Sequence, residues 1–102
     1  MSRRSYAHKP WSDELLVLFI LSQLYQMHQR GEGPTTVHQI STLPGMPYQR
    51  DERVRRLVEM LESQGMVDKV EDHPYVHYSI SEEGRRWWEE HRSVLWFFQG
   101  IR

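Results

Sequence analysis

Arginine is concentrated in one short stretch of the chain, which carries four of these residues: Arg50, Arg53, Arg55 and Arg56. A guanidinium group presents several N–H donors in one plane, and this geometry fits phosphate oxygens and the edges of nucleic-acid bases. Carboxylates at helical spacing offer a second explanation, in which residues such as Glu52 and Arg56 pair across one helical turn. The stretch is therefore either a nucleic-acid contact surface or a solvated helix face with its own ion pairs.

A helix that begins between Pro47 and Asp51 is predicted to position these arginines. Its apolar residues recur at i, i+3, i+4 and i+7 and form one stripe: Val54, Leu57, Val58 and Leu61. At about 100° per residue, Arg53 and Arg56 fall on the opposite side, so we expect them to contact bases or phosphates. A second group, at the start of the helix or on its flank, is expected to reach phosphates: Tyr48, Gln49, Arg50 and Arg55.

Two more helices are predicted ahead of this one. Ser12 is a suitable N-cap with two carboxylates after it, so the first helix is expected to begin there and to run to about Arg30. Its apolar residues cover more than one face, which predicts burial on two sides. Residues 34–36 open a short second helix that ends near Thr42, and residues 43–47 form a turn.

A hairpin and a final helix are predicted after the arginine-bearing helix. Residues 66–70 and 75–80 are rich in β-branched and aromatic side chains, and residues 71–74 between them suit a turn. Ser81 can cap a last helix over residues 82–98. The predicted class is α+β and mainly helical.

This order of elements resembles a winged helix-turn-helix domain, with a three-helix core, a two-stranded β wing and a C-terminal helix. The residues that carry the resemblance are 54–62, Gly65-Met66-Val67 and 78–84. They are similar to the recognition helix, the first wing strand and the wing exit of bacterial MarR-like and PadR-like regulators. The resemblance implies a sequence-specific transcriptional regulator, a repressor, that binds double-stranded DNA as a homodimer on an inverted repeat.

The composition divides the chain into a basic arm, residues 1–10, and one domain, residues 11–102. The arm carries Arg3, Arg4 and Lys9 without any acid, so it either lies along DNA phosphates or is a frayed terminus. We count Arg3 and Arg4 among the expected DNA contacts.

The C-terminal residues are more apolar than one helix on a three-helix core requires, which predicts a dimer interface. We expect the first and last helices to supply it, through Leu18, Trp88, Leu95, Trp96 and Phe98. In the alternative, the tryptophans fill a small core that is short of aliphatic side chains.

A second function remains open, because the net charge of the whole chain is only -1 and the predicted wing tip carries Glu71 and Asp72. A winged-helix module with an acidic wing would suit a protein partner, for example as a mobile-element-encoded inhibitor of a host complex that mimics nucleic acid.

Other function classes lack support in the sequence. The 102 residues suffice for one domain, and the absence of cysteine excludes thiolate metal sites and a cysteine nucleophile. Among the six histidines the closest pair, His73 and His77, lies across the predicted turn and second strand and not on a helix, so it is a weak metal signal. No nucleophile motif or phosphate loop occurs, and we expect no enzyme activity, cofactor or metal. The longest apolar run, residues 15–21, is too short for a membrane span, and no leader pattern precedes it, so we expect a cytoplasmic protein.

Overall fold

The computed structural model describes residues 11–94, and within that range it contains four helices and one two-stranded antiparallel sheet. The elements are α1 (Asp13–Gln29), α2 (Val37–Ser41), α3 (Asp51–Ser63), β1 (Val67–Asp72), β2 (Tyr75–Ile80) and α4 (Glu82–His91). The predicted α+β class and the order of elements are confirmed, and the layout is consistent with a winged helix.

Local capping signals set the helix boundaries. The Ser12 side chain accepts a hydrogen bond from the Leu15 backbone N–H at 3.2 Å, and α1 ends one residue before the expected Arg30. Thr36 begins α2 through a reciprocal capping box, in which its hydroxyl accepts from the Gln39 N–H and its own N–H donates to the Gln39 side chain. These caps pair backbone N–H groups at the starts of α1 and α2 that have no partner within the helix.

The core forms where α1 packs against α3, α4 and β2, so the prediction that α1 is buried on more than one side is confirmed. The predicted stripe of α3 is fully buried, with Val54, Leu57, Val58 and Leu61 each at most 3% exposed. Burial of one such side chain contributes about 1.5–3 kcal/mol, which fixes the rotation of α3 about its axis. The opposite side of α3 therefore faces solvent.

The hairpin is longer than predicted, and its connection is shorter. Strand pairing runs from Val67↔Ile80 to Asp72↔Tyr75, so only His73 and Pro74 remain between the strands. Glu71 and Asp72, which were expected in the turn, belong to β1, because backbone pairing continues whatever the charge of the outward-facing side chains.

The base of the hairpin is tied to the helical part of the chain by two contacts. Thr35 and Tyr78 exchange two backbone hydrogen bonds, of 2.9 and 2.7 Å, which anchor the segment before α2 to β2. Gly84 of α4 lies so close to the start of β1 that a Cβ there would overlap the carbonyl oxygen of Met66. The hairpin and the helices are thus held in one fixed arrangement.

The last helix is shorter than the predicted residues 82–98, because α4 ends at His91. The Nδ1 atom of His91 lies 2.8 Å from the carbonyl oxygen of Trp87, and the Val94 N–H donates back only three residues, to His91. Such i to i+3 bonds tighten a last turn and end a helix. The remainder of the predicted helix, residues 95–98, lies outside the described residues. Within residues 11–94 no helix is long and apolar enough to cross a bilayer.

Candidate nucleic-acid interface

The exposed side of α3 is set by the stripe that it buries. Arg55 and Arg56 point away from the core and are exposed, together with Glu52 and Glu59. Arg50 occupies the N-cap position without a capping hydrogen bond from its side chain. Tyr48, two residues earlier, is 91% exposed. These two residues precede the helix, as predicted, and their side chains are open to solvent.

Arg53 differs from its neighbours, because each of its three guanidinium nitrogens donates to an acceptor of the chain itself. Nη2 lies 2.6 Å from the Trp11 carbonyl oxygen and 2.8 Å from Asp13 Oδ1, and Nη1 lies 2.7 Å from Gln49 Oε1. Nε adds a 3.2 Å hydrogen bond to the same Asp13 oxygen, and the side chain is only 23% exposed. We call this cluster, formed by Trp11, Asp13, Gln49 and Arg53, the α1–α3 seam.

The seam engages two of the residues that the sequence predicts as DNA contacts, Arg53 and Gln49. Arg53 does lie on the side of α3 opposite the buried stripe, as predicted. On that side, however, its side chain meets the start of α1. Helical periodicity within α3 cannot reveal that neighbour, because Asp13 is 40 residues away in the chain.

Arg56 reaches the same carboxylate more loosely. Its Nη1 lies 3.5 Å from Asp13 Oδ2, and its side chain is 62% exposed. Its ion-pair partner within residues 11–94 is thus Asp13, not the Glu52 suggested by helical spacing. The hydrogen bond from Arg53, together with the charge of Arg56, holds the pKa of Asp13 below its ordinary value.

A groove of about 520 Å³ runs beside α3, between the start of α2 and the hairpin connection. It is lined by Thr36, Val37, His38, Gln39, Asp51, Arg55, Pro74, Tyr75 and Val76. Tyr75 is 65% exposed, so an aromatic ring stands at this groove together with the Arg55 guanidinium. Both groups suit a nucleic-acid strand, since guanidinium binds phosphate and an aromatic ring packs on sugars or bases.

The groove also contains a hydrogen-bonded pair of side chains that the sequence did not predict. His38 Nδ1 lies 3.0 Å from Asp51 Oδ2 and links α2 to the first turn of α3. Hydrogen bonds from His38, and secondarily from the Ser41 hydroxyl, lower the pKa of Asp51 from its ordinary value. The two residues are 13 positions apart and belong to different helices, so no spacing pattern indicated the pair.

We use the name α3 surface for the exposed cationic and aromatic side chains of this region: His38, Tyr48, Arg50, Arg55, Arg56 and Tyr75. Asp51 is paired with His38, which leaves Glu52 and Glu59 as the exposed carboxylates on α3 itself. The surface therefore carries three arginines within one short segment, on a helix whose orientation is fixed by its buried stripe.

Comparison of the chain with protein-family models, curated proteins and solved structures finds no match. The geometry of the α3 surface is therefore the main indication of function. Among residues 11–94 no three His, Cys, Asp or Glu side chains are grouped as a metal ion would require.

The residues expected at a dimer interface differ in their surroundings. Trp88 is 3% exposed and lies in the core, with its ring centroid 6.5 Å from that of Tyr25. Its burial needs no second copy, in accordance with the alternative in which tryptophan fills the core. Leu18 is partly exposed on α1. The other expected interface residues, Leu95, Trp96 and Phe98, and the arm residues Arg3 and Arg4 lie outside the described residues.

Proposed function

We propose that this protein is a sequence-specific DNA-binding regulator that represses transcription as a homodimer on an inverted repeat. The observation that supports the proposal is the α3 surface, in which exposed arginines occupy the first two turns of a helix that is locked to a small core. A B-DNA major groove, about 12 Å wide, admits such a helix with its N-terminal half toward the bases.

The roles of the arginines follow from their surroundings. Arg55 and Arg56 are the contacts to base edges or phosphates, because they are exposed on the first two turns of α3. Arg50 and Tyr48 precede the helix and contact the flanking backbone. Arg53 positions α3 against α1, and it is not assigned a DNA contact.

Enrichment from a randomised duplex pool at near-physiological salt tests this function. The wild type should enrich an inverted repeat whose half-sites are about 34 Å apart, because a two-fold dimer presents its two helices on one DNA face. The R55A/R56A variant should lose the enrichment. The R30A/R86A variant removes the same charge from two exposed arginines paired with Glu32 and Glu82, away from the α3 surface, and should retain it. A pool that stays random with the wild type would refute the proposal.

The homodimer is tested separately by light scattering. Trp96→Glu should produce monomers, because a carboxylate within an apolar interface carries a large desolvation penalty. A variant that stays dimeric would remove the C-terminal residues from the interface.

The exposed acidic hairpin favours the second candidate, a protein-binding module. Lys69 is the only cation of β1, and its Nζ lies 3.6 Å from Glu71 Oε2. Asp68 and Asp72 are also exposed on that strand. If the pool stays random, capture of a protein partner that survives in R55A/R56A and is lost in a Glu71→Lys/Asp72→Lys variant would support this candidate.

A further inference from the structure

We propose that Asp13 is a specificity-determining residue, whose carboxylate competes with DNA phosphates for Arg56. This inference rests on the proposed DNA-binding function. Asp13 keeps Arg56 from contacting the backbone of unrelated duplexes, and Arg56 leaves Asp13 only where a base edge offers a better acceptor.

The geometry of the two arginines at Asp13 carries this inference. Arg53 makes short hydrogen bonds to Oδ1, of 2.8 and 3.2 Å, from a largely buried side chain. Arg56 makes one 3.5 Å contact to Oδ2 from a side chain that is 62% exposed. Short charge-assisted hydrogen bonds are strong, whereas long exposed ion pairs are weak. One arginine thus fixes the carboxylate in place, and the other can exchange it for another acceptor.

The position of Asp13 makes its charge a permanent part of the surface. It lies in the first turn of α1, where the helix dipole favours an anion, and Arg53 holds its pKa low, so it remains ionised at neutral pH. A phosphate that approaches Arg56 must displace this carboxylate and is repelled by it at a separation shorter than the screening length of about 8 Å.

Two kinds of DNA contact respond differently to this competitor. A single phosphate contact in an exposed setting offers Arg56 about as much as Asp13 already does, so Arg56 stays with Asp13 on unrelated DNA. A guanine edge accepts two hydrogen bonds from one arginine, and this paired contact is stronger than a long exposed ion pair, so it displaces Asp13. Asp13 therefore lowers nonspecific affinity more than it lowers affinity for the correct site.

The test measures affinity for a 24-base-pair duplex of scrambled sequence and for the enriched duplex over a series of salt concentrations. Asp13→Asn keeps a hydrogen-bond acceptor for Arg53 and removes the charge. It should bind the scrambled duplex about three- to tenfold more tightly, with a salt dependence steeper by about 0.9 in the log–log slope, because Arg56 now contacts one more phosphate. The gain on the enriched duplex should be smaller.

Two controls separate competition at Arg56 from a general charge effect. Asp68→Asn removes one carboxylate from the exposed β1 strand and should give a smaller gain. The double variant D13N/R56A should exceed R56A alone by no more than D68N exceeds the wild type, because only the general charge effect remains without Arg56. The inference would be overturned if D13N kept its full gain in the R56A background, or if D68N gave a gain equal to that of D13N.

A comparison within the wild-type background covers the case in which D13N fails to fold. Arg56→Ala should leave affinity for the scrambled duplex within about twofold, since Arg56 stays on Asp13 there, whereas Arg55→Ala should lower it severalfold. Equal losses would overturn the inference. If the wild type enriches a sequence but these results fail, only the role of Asp13 falls; if the wild type binds no duplex, the proposed function falls with it.

Discussion

The α1–α3 seam and the groove between α2 and the hairpin lie on two sides of the first turns of α3. An arginine is paired within the protein in the seam, and another is left exposed in the groove. In the seam, Arg53 has an acceptor for every guanidinium nitrogen and is 23% exposed. In the groove, Arg55 is exposed beside an open space and a tyrosine ring. Two residues along a helix correspond to a rotation of about 200°, so Arg53 and Arg55 face nearly opposite sides of α3. One of them can therefore stabilise the fold while the other is available to bind a ligand.

The largest effect that separates the two regions is on stability. Arg53→Ala removes the hydrogen bonds to Gln49 and to the Trp11 carbonyl and should lower the free energy of unfolding by about 1–3 kcal/mol. Arg55→Ala changes an exposed side chain and should stay within about 0.5 kcal/mol. Urea denaturation of both variants measures the difference, and equal losses would mean that the seam does not stabilise the fold.

The next largest effect is on DNA affinity, for which replacement of Arg55 should matter more than replacement of Arg53. Arg55→Ala should weaken binding to the enriched duplex by about tenfold, the low end of the range for a base or phosphate contact. Arg53→Lys keeps a cation in the seam and should change affinity by less than about threefold, since we assign it no DNA contact. Fluorescence anisotropy at constant salt checks both values, and a larger loss for Arg53→Lys would place that residue at the interface.

A smaller effect is expected from charge reversal in the hairpin, which tests whether the hairpin side of the groove approaches the phosphate backbone of DNA. Glu71→Lys with Asp72→Lys replaces two exposed carboxylates by cations and should raise affinity for a scrambled duplex by about two- to fivefold through phosphate attraction. The matched control is Glu82→Lys/Glu90→Lys on α4, whose two carboxylates are also exposed, and it should have a lesser effect. Unchanged affinity in the hairpin variant would place β1 away from the DNA.

The smallest effect is the pH dependence of stability. Hydrogen bonds lower the pKa values of Asp13 in the seam and Asp51 in the groove, so both stabilise the folded state fully above the unfolded pKa of about 3.9. This contribution is lost as pH falls through the lower folded values. Thermal unfolding measured from neutral pH down to below the unfolded pKa of about 3.9 should show a drop that D13N and D51N each reduce. A variant curve parallel to that of the wild type would contradict the coupling.

The sequence predicted features that depend on neighbours along the chain. The α3 stripe, the Ser12 start and the Gly65 stop each depend on side chains within one helical turn, and all are in place. The second helix, expected to open over residues 34–36, begins at Val37 after the Thr36 cap. Gly65 adopts φ +80°, the left-handed conformation that ends a helix without a Cβ penalty.

The rest of the candidate site depends on contacts between distant segments. The Asp13–Arg53 pair joins α1 to α3, and the His38–Asp51 pair joins α2 to α3, so neither produces a periodic signal. The end of α4 was placed too late because residues 92–98 are helix-compatible in composition, while the bonds that end the helix involve the His91 ring and a tight last turn.

The charge of β1 has a further consequence for how neighbouring molecules meet. β1 pairs with β2 on one side only, and within residues 11–94 its other edge has no strand beside it. Unpaired edges of this kind invite the hairpin of another molecule to add to the sheet. Four of the six β1 residues are charged, namely Asp68, Lys69, Glu71 and Asp72. Their desolvation and mutual repulsion oppose that pairing, so the acidity that disfavours a phosphate backbone also protects the protein from aggregation through its sheet edge.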